Sequence, residues 1–469
     1  MTAIDTDLNF ATAETLAGLI RRKELSPTEL MEHTLARIAE LNPRIGAFVA
    51  LDEERALAEA AAQTQRVAAG EQLGPLGGLP FGVKDLEDAA GFVTTKGSRA
   101  FRDNMVDRDS VQVERLRAAG AIILGKTNTP EFGYTGFSFN ELGPATRNPW
   151  NLERSSGGSS GGASAAIASG MTAIGTGSDG AGSVRIPACF VGAFGLKTSF
   201  GRIPIGPASF TNWMDTSVYG PITRTVRDGA LFLDQVAGYH PADPDSLPDV
   251  GYSYLARLDA PLPPLRIAFS ATLGAFKVQA DVAREVEDAA KVFEQLGHEV
   301  VAHDDPLPEM LMWWMRVGRH QALASMWDVY TERRDEFSEP YVRGMDIALA
   351  TQPSDFGEFA RLRAELNNQL WRLFDEYDLL LTPTMPIEAI DAEGPIPREV
   401  EGEPLTFAGF TVPFNFSGHP AATVRAGFTD SGLPAGLQIV GRRHRDDQVL
   451  QAAYAYEQAR PWNDHWPQI

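Results

Sequence analysis

The chain has 469 residues, 43% hydrophobic and 22% charged, so it can bury a large core. Its 41 Lys and Arg against 62 Asp and Glu give a net charge of −21, which argues against nucleic acid or an anionic membrane surface as a partner. The one cysteine, Cys189, excludes an internal disulfide and any metal site built from several cysteines, and the sequence predicts no cofactor.

The N-terminal part, residues 1–70, is predicted to be helical. The first 20 residues carry acidic side chains where a secretory signal needs basic ones. No run approaches the ~18 apolar residues of a membrane span, so we expect a cytoplasmic protein. Ser26–Glu29 is typical of a helix start, and apolar residues follow at helical spacing. Asn42-Pro43 is expected to end this helix, and a second helix is expected over about 52–69.

Strands and helices alternate in the rest of the chain. This alternation predicts an α/β fold with a large mixed sheet and helices on both faces. We interpret residues 1–469 as one domain, with a helical cap inserted around 305–375 and a surface connection over 241–264. The predicted strands are Leu79–Val83, Ala121–Leu124, Leu265–Phe269, Glu299–Val301, Leu379–Leu381, Ala422–Ala426 and Leu437–Val440, and a helix is expected over Val111–Ala119.

A run of small residues between Arg154 and Ala163 contains Ser159 and Ser160. Such runs are often flexible linkers, and they can also form an anion-binding turn before a helix. The sequence that follows, up to Gly170, is strongly helix-forming and contains only small or apolar residues. This pattern disfavours a linker and favours a helix packed closely under other backbone.

A second run of small residues, from Gly175 to Pro187, contains Ser183. Within it, residues 180–183 offer four consecutive backbone N–H groups, from Gly180, Ala181, Gly182 and Ser183. A turn of this kind can bind an oxyanion, and each donor is worth roughly 3–4 kcal/mol in measured enzymes. A plain tight turn is the alternative interpretation.

Lys84 follows the apolar residues Pro80–Val83. A lysine after a strand usually lies at the surface, but these residues direct the chain inward and favour burial. Burial disfavours the charged ammonium and lowers its pKa. A neutral amine can accept a proton from a serine and act as a general base.

Residues Gly157–Gly161 also fit the G-x-S-x-G pattern of α/β-hydrolases, which would make Ser159 the nucleophile of a Ser-His-Asp esterase. That turn requires a hydrophobic strand before it, whereas Asn148–Arg154 are polar and contain a proline. The downstream histidines lie in no context typical of such a triad. They are His298, His303, His320, His419 and His444.

Taken together, these segments resemble the amidase signature family over nearly the whole chain. The two central matches are Gly157–Gly162 and Ser178–Ala188. The joint order of the matches carries the resemblance, since each alone is short. The supporting matches are Gly82–Asp85, Gly125–Asn128, Asn148–Trp150, Gly195–Lys197, Gly220–Pro221 and Gly432–Gln438.

The resemblance implies a Ser–cisSer–Lys triad that hydrolyses amides through an acyl-serine. Ser183 is then the nucleophile, Ser159 the bridging serine after a cis peptide, and Lys84 the base. The two serines are 24 residues apart, as in the family. The backbone N–H groups of residues 180–183 are expected to hold the oxyanion. The residues expected to support the site are Ser160, Asp179 and Arg185.

Two positions depart from the family pattern. Ser178 stands where the family has Thr and keeps the hydroxyl. Ala181 stands where the family has Gly, and its methyl group would narrow the oxyanion turn if φ there were positive. The second departure bears on substrate size or rate, and the reaction class is unaffected.

The family contains stand-alone amidases and the amidase subunit of an amidotransferase that makes glutaminyl-tRNA. Phe210–Asp215 differs from what is expected of the latter, which favours a stand-alone enzyme for a small-molecule amide, with a homodimer left open. Intact triad positions disfavour a non-catalytic member, whereas an esterase would use the same triad. An acyl pocket is predicted from Tyr134, Phe137, Trp213 and Met214, with Phe132, Phe139, Trp313, Trp314 and Trp327 as further candidates and core packing as the alternative for each.

Overall fold

The structure is a computed structural model that describes residues 7–207 and 215–469. The described residues form the predicted α/β fold, with helices packed around a large mixed sheet. The helices are α1 (Ala13–Arg21), α2 (Pro27–Ile45), α3 (Glu53–Ala68), α4 (Val111–Ala118), α5 (Gly161–Ala168), α6 (Arg185–Val191), α7 (Val226–Val236), α8 (Tyr254–Arg257), α9 (Ala280–Gln295), α10 (Leu311–Trp313), α11 (Arg319–Ser325), α12 (Trp327–Glu332), α13 (Glu339–Leu349), α14 (Pro353–Glu376), α15 (Val412–Ser417) and α16 (Asp446–Ala459).

The strands are mostly short and buried. They are β1 (Phe48–Leu51), β2 (Pro80–Lys84), β3 (Ile122–Thr127), β4 (Arg147–Asn148), β5 (Asn151–Ser155), β6 (Ile174–Asp179), β7 (Phe194–Lys197), β8 (Val218–Thr223), β9 (Arg266–Phe269), β10 (Glu299–Ala302), β11 (Leu379–Pro383), β12 (Glu399–Val400), β13 (Glu403–Pro404), β14 (Ala421–Phe428) and β15 (Pro434–Gly441). Every strand predicted from the sequence is present, with bounds shifted by a few residues.

Within the described residues, one sheet of 11 strands has the order β1-β3-β2-β6-β8-β7-β14-β15-β11-β9-β10. β2 is parallel to β3 and β6, β9 is parallel to β10 and β11, and the other neighbours are antiparallel. The prediction of a mixed sheet is therefore confirmed. β4 pairs with β5, and β12 with β13, outside this sheet.

The N-terminal helices show how local sequence sets the element ends. Ser26 and Glu29 form a capping box at the start of α2, as the sequence predicts. The predicted end at Asn42-Pro43 is wrong, because α2 continues through Pro43 to Ile45. Pro43 lies in the last turn, where it removes one helical hydrogen bond, and Gly46 ends the helix with φ of 69°.

The region predicted as a helical cap contains the helices α10 to α14 and the π-helical turn Trp314–Gly318. In the part of the chain that the structure describes, no helix combines the length and apolar character needed to cross a membrane.

Candidate active site

Lys84 lies at the carboxyl end of β2, which runs parallel to β6 in the sheet. Phe81 of β2 lies opposite Ile174 of β6, and Gly82 lies opposite Gly175. Sites in α/β sheets form beyond the carboxyl ends of the strands. Lys84 ends β2, its backbone N–H donates to Thr176 Oγ1 at 2.9 Å, and the residue is 1% exposed. The expected burial of Lys84 is therefore found.

The Lys84 amine contacts three oxygen atoms. Nζ lies 2.8 Å from Ser159 Oγ, 3.0 Å from Ser178 Oγ and 3.3 Å from the Ser178 carbonyl oxygen. A neutral amine has two N–H donors and one lone pair. The two Ser178 oxygens can accept the N–H groups, which leaves the lone pair facing the Ser159 hydroxyl. Ser178 keeps the hydroxyl of the family's threonine, and this hydroxyl contacts the Lys84 amine.

Burial sets the protonation of this amine. It lowers the pKa of Lys84 to about 7, against the opposing attraction of the Asp179 and Glu87 carboxylates. A large fraction of Lys84 is therefore uncharged at neutral pH. An uncharged amine beside a serine hydroxyl can act as a general base.

Ser159 lies in the first of the two small-residue segments. The Gly158–Ser159 peptide is cis, as the resemblance implies, and Ser159 is 2% exposed. The next residue, Ser160, donates its backbone N–H to the Ser183 carbonyl oxygen at 3.2 Å. This hydrogen bond joins the two small-residue segments. The Ser160 hydroxyl is buried and has no hydrogen-bond partner among the described residues.

Replacing Gly158 with alanine is expected to destabilise the protein and lower its activity. A Cβ at position 158 would lie 2.6 Å from the backbone nitrogen of Phe137 and 2.8 Å from the carbonyl carbon of Gly136, so backbone must move. Overpacking of this kind lowers the free energy of unfolding by about 1–3 kcal/mol. Chemical denaturation and amide turnover would measure both effects.

Gly143→Ala is the matched control, because a Cβ there has no atom within 4 Å. It is expected to unfold like the parent protein. Equal stability of Gly158→Ala and the parent would contradict the close packing at Gly158.

Ser183 lies in the turn between β6 and α6. It is partly exposed, and its hydroxyl has no hydrogen-bond partner among the described residues. The turn is fixed by Asp179, whose carboxylate accepts the backbone N–H groups of Gly182 at 2.6 Å and Val184 at 3.2 Å. Ser183 thus combines a hydrogen-bonded turn with a partly exposed side chain.

Asp179 is paired with Arg185 in the protein interior. Arg185 Nη2 and Nε each lie 2.9 Å from the carboxylate, and both side chains are fully buried. Burial raises the pKa of Asp179, but the Arg185 guanidinium outweighs it and holds that pKa well below the usual range. This pair supports the turn, as expected for both residues, and neither side chain reaches the cavity described below.

Residues distant in sequence complete this support. Arg185 donates to Gln438 Oε1 at 2.7 Å, to Asn415 Oδ1 at 2.6 Å and to the Thr411 carbonyl oxygen at 3.0 Å. Gln438 belongs to a segment matched in the sequence, whereas Thr411 and Asn415 carry no signal of this role.

The prediction that all four amides of residues 180–183 face an oxyanion needs correction. The Gly182 N–H already donates to the Asp179 carboxylate at 2.6 Å, so it is not free to bind an oxyanion. The amides of Ala181 and Ser183 have no partner among the described residues. They remain oxyanion donors by prediction, together with that of Gly180.

Ala181 does not narrow this turn. Its φ is not positive, and Gly182 is the position that takes the left-handed conformation. A Cβ at Gly182 would lie 2.6 Å from Thr411 Oγ1, so this position requires glycine, whereas Ala181 does not. The Ala181 residue lies instead on the wall of a cavity.

A cavity of about 310 Å³ opens at Ser183. This volume lies at the lower end of the range for small-molecule sites. Its walls are mainly apolar, and among the described residues that line it none is acidic. These residues are Gly133, Tyr134, Thr135, Gly136, Ala181, Ser183, Ile186, Leu311, Trp314, Met315, Arg319, Ile396, Leu405, Phe407 and Ala408.

Some of the predicted pocket residues line the cavity and others do not. Tyr134 and Trp314 line the cavity. Phe137 does not, because its ring packs against Gly394 while the backbone before it forms the wall. Phe132, Phe139, Trp313 and Trp327 are likewise not on the wall. Trp213 and Met214 lie outside the described residues.

The geometry does not fit the Ser-His-Asp alternative. A short strand, β5, does precede Ser159, contrary to the prediction, but it pairs with β4 outside the main sheet. Ser159 Oγ is hydrogen-bonded to Lys84 and has no histidine partner among the described residues. The buried His419 contacts Ser417 instead.

Comparisons with known proteins identify the family to which the chain is similar. The Amidase family model matches residues 29–450. The chain is 39% identical to an acylamidase of Rhodococcus erythropolis over 98% of both chains. It is 33% identical to a glutamyl-tRNA(Gln) amidotransferase subunit of Thermosynechococcus vestitus, over 96% of this chain and 98% of the relative. The solved structure of a bacterial aryl acylamidase of the amidase signature family superposes with a TM-score of 0.92 at 33% identity, over 98% of both chains.

Proposed function

The chain belongs to the amidase signature family and is an amide-hydrolysing enzyme, and on that premise we propose that Ser183, Ser159 and Lys84 form its catalytic triad. The observation that carries the proposal is the buried contact between Lys84 Nζ and Ser159 Oγ. A lysine with its pKa lowered to about 7 can exchange a proton with that serine at neutral pH.

The first half of the reaction acylates Ser183. Lys84 accepts the Ser159 proton, and Ser159 accepts the proton of Ser183. The Ser183 oxygen then bonds to the amide carbon, and free N–H groups of the turn hold the negative oxygen. Ser159 passes its proton to the amide nitrogen as the C–N bond breaks, and Lys84 returns a proton to Ser159. The amine leaves, and Ser183 carries the acyl group as an ester.

Water completes the second half by the same route. Water transfers a proton to Ser159, and Ser159 transfers its own proton to Lys84, as the water oxygen bonds to the ester carbon. The C–O bond to Ser183 then breaks, and Lys84 and Ser159 return the proton to the Ser183 oxygen. The acid is released and Ser183 regains its proton. Because the hydroxyls of Ser159 and Ser183 are not hydrogen-bonded to each other in this structure, we expect substrate to bring them together, since catalytic contacts often tighten on binding.

The cavity favours a stand-alone amidase for apolar or aryl amides. Its walls include Leu311, Trp314, Leu405 and Phe407, which suit an apolar acyl or aryl group. Glutamine carries an ammonium group, and the described wall residues offer no carboxylate to pair with it. Burying that unpaired charge would be costly.

Amidotransferase activity is the second candidate, since several relatives at 32–34% identity are glutamyl-tRNA(Gln) amidotransferase subunits. A chain in that role would release ammonia from glutamine and depend on a partner chain.

The purified chain is expected to hydrolyse 4-nitroacetanilide at least about tenfold more efficiently than glutamine, because the cavity matches an aryl group better than an amino acid. Release of 4-nitroaniline and of ammonia gives kcat/KM for each substrate. The Ser183→Ala chain, purified identically, corrects for contaminating hydrolases. A higher kcat/KM for glutamine would favour the amidotransferase role.

A further inference from the structure

One arginine in the cavity wall is unlike the other buried arginines. Arg319 begins α11, is 4% exposed, and lines the same cavity as Ser183. It is not part of any motif matched in the sequence. Its guanidinium carbon lies 3.6 Å from the centre of the Tyr134 ring, so the guanidinium stacks on a residue of the same wall.

Arg319 has no hydrogen-bond or ion-pair partner among the described residues, and its Nε is fully buried without an acceptor. The other buried arginines all have partners. Arg185 and Arg202 pair with the carboxylates of Asp179 and Asp446. Arg224 and Arg425 donate to backbone carbonyl oxygens. Within the described part of the chain, Arg319 is therefore the one buried arginine without a hydrogen-bond or ion-pair partner.

An unpaired buried cation is costly to the folded protein. Burial lowers the pKa of Arg319 to about 9, so the group still carries its charge at neutral pH. Stacking on Tyr134 offsets part of the cost, but it leaves the guanidinium N–H groups without an acceptor among the described residues. A ligand with a carboxylate would supply both a charge and two acceptor oxygens in the planar geometry that a guanidinium matches.

We propose that Arg319 binds a carboxylate of the substrate, so that the preferred substrates are amides with an apolar body and a carboxylate remote from the reacting carbonyl. This inference rests on the proposed function, because it takes Ser183 as the reacting end of the cavity. The wall is otherwise apolar or uncharged among the described residues, so the carboxylate has Arg319 as its one charged partner there.

Matched substrate pairs test the preference. One pair is 4-acetamidobenzoate and acetanilide, with the carboxylate on the amine side; the other is glutaric acid monoanilide and pentananilide, with it on the acyl side. In at least one pair, we expect the parent enzyme to have a higher kcat/KM for the carboxylated amide than for the neutral amide. Arg319→Met should lower that ratio about tenfold or more, as loss of a charged hydrogen bond does, and Arg319→Lys should retain part of it.

Arg316→Met is the matched control. Arg316 lies three positions earlier, is paired with Asp355 at 3.0 Å, and does not line the cavity. Its removal should leave the ratio between carboxylated and neutral substrates unchanged. An equal ratio in the parent and Arg319→Met would overturn the inference, as would neutral substrates being preferred in both pairs.

Direct binding keeps the inference testable if Arg319→Met does not fold. Calorimetry on the parent protein should give a Kd for 4-phenylbutyrate at least about tenfold lower than for 4-phenylbutanol. Equal Kd values would overturn the inference. Absence of Ser183-dependent hydrolysis of every amide, with 4-phenylbutyrate still bound more tightly, would instead contradict the proposed function and leave the carboxylate site standing.

Discussion

Replacing Ser183 with alanine is expected to lower kcat for amide hydrolysis by about 10⁴- to 10⁶-fold, as removal of a nucleophilic serine does in hydrolases of this kind. The change deletes the oxygen that we propose bonds to the amide carbon. The fold should be unaffected, because the Ser183 hydroxyl is partly exposed and makes no hydrogen bond among the described residues. Turnover of 4-nitroacetanilide and the thermal unfolding midpoint measure the two properties.

Covalent labelling with a fluorophosphonate tests the assignment of Ser183 as the nucleophile. We expect it to label Ser183 in the parent protein and to leave Ser183→Ala unlabelled. Ser164→Ala is the control, since Ser164 lies in α5 and its hydroxyl donates to the carbonyl oxygens of Ser156 and Gly161. It should be labelled normally. An adduct on Ser159 would contradict the proposed roles and return the Ser-His-Asp alternative.

Replacing Lys84 with methionine is expected to lower kcat/KM by about 10²- to 10⁴-fold, the usual contribution of a general base. Methionine keeps an unbranched apolar side chain in the buried position and removes the amine. Ser159 then has no acceptor for its proton.

The pH profile of the parent enzyme identifies this base. Lys84 acts when it is neutral, so kcat/KM should rise with pH and level off above its pKa of about 7. Lys84→Met should lose this rise. Lys197→Met is a matched control, because Lys197 is also buried with its pKa lowered to about 7, yet it donates to Thr198 and does not contact Ser159. If Lys197→Met lost the rise and Lys84→Met kept it, Lys84 would not be the base.

The parts of the fold that sequence predicts well are those with continuous apolar residues. Leu379–Leu381 is such a run, Leu437–Val440 is interrupted only by Gln438, and both lie in central strands. The sequence does not indicate β6, because Ile174–Asp179 contains two glycines and three polar residues. β8 contains Pro221 in the middle of the sheet. Pairing with neighbouring strands on both sides holds these segments extended, and local propensity does not reveal it.

The candidate site likewise contains residues that the sequence identifies and residues that it does not. Lys84, Ser159 and Ser183 could be connected because each lies in a motif whose order along the chain is distinctive. Arg319 could not, since an arginine in a helical segment usually lies at the surface. Its burial depends on Gly344, where a Cβ would lie 2.6 Å from Arg319 Nη1, and on the distant Tyr134 ring. No local pattern encodes these contacts.

The support of the Ser183 turn by Thr411, Asn415 and Gln438 has a consequence for protein synthesis. These residues follow Arg185 by 226 to 253 positions. The ribosome therefore releases the serine-bearing segment long before the groups that fix its shape exist. The turn can take its final form only after residues through Gln438 have been made. A nascent chain or a fragment that ends before Gln438 lacks the groups that hold the proposed nucleophile, so we expect hydrolytic activity to require synthesis through that residue.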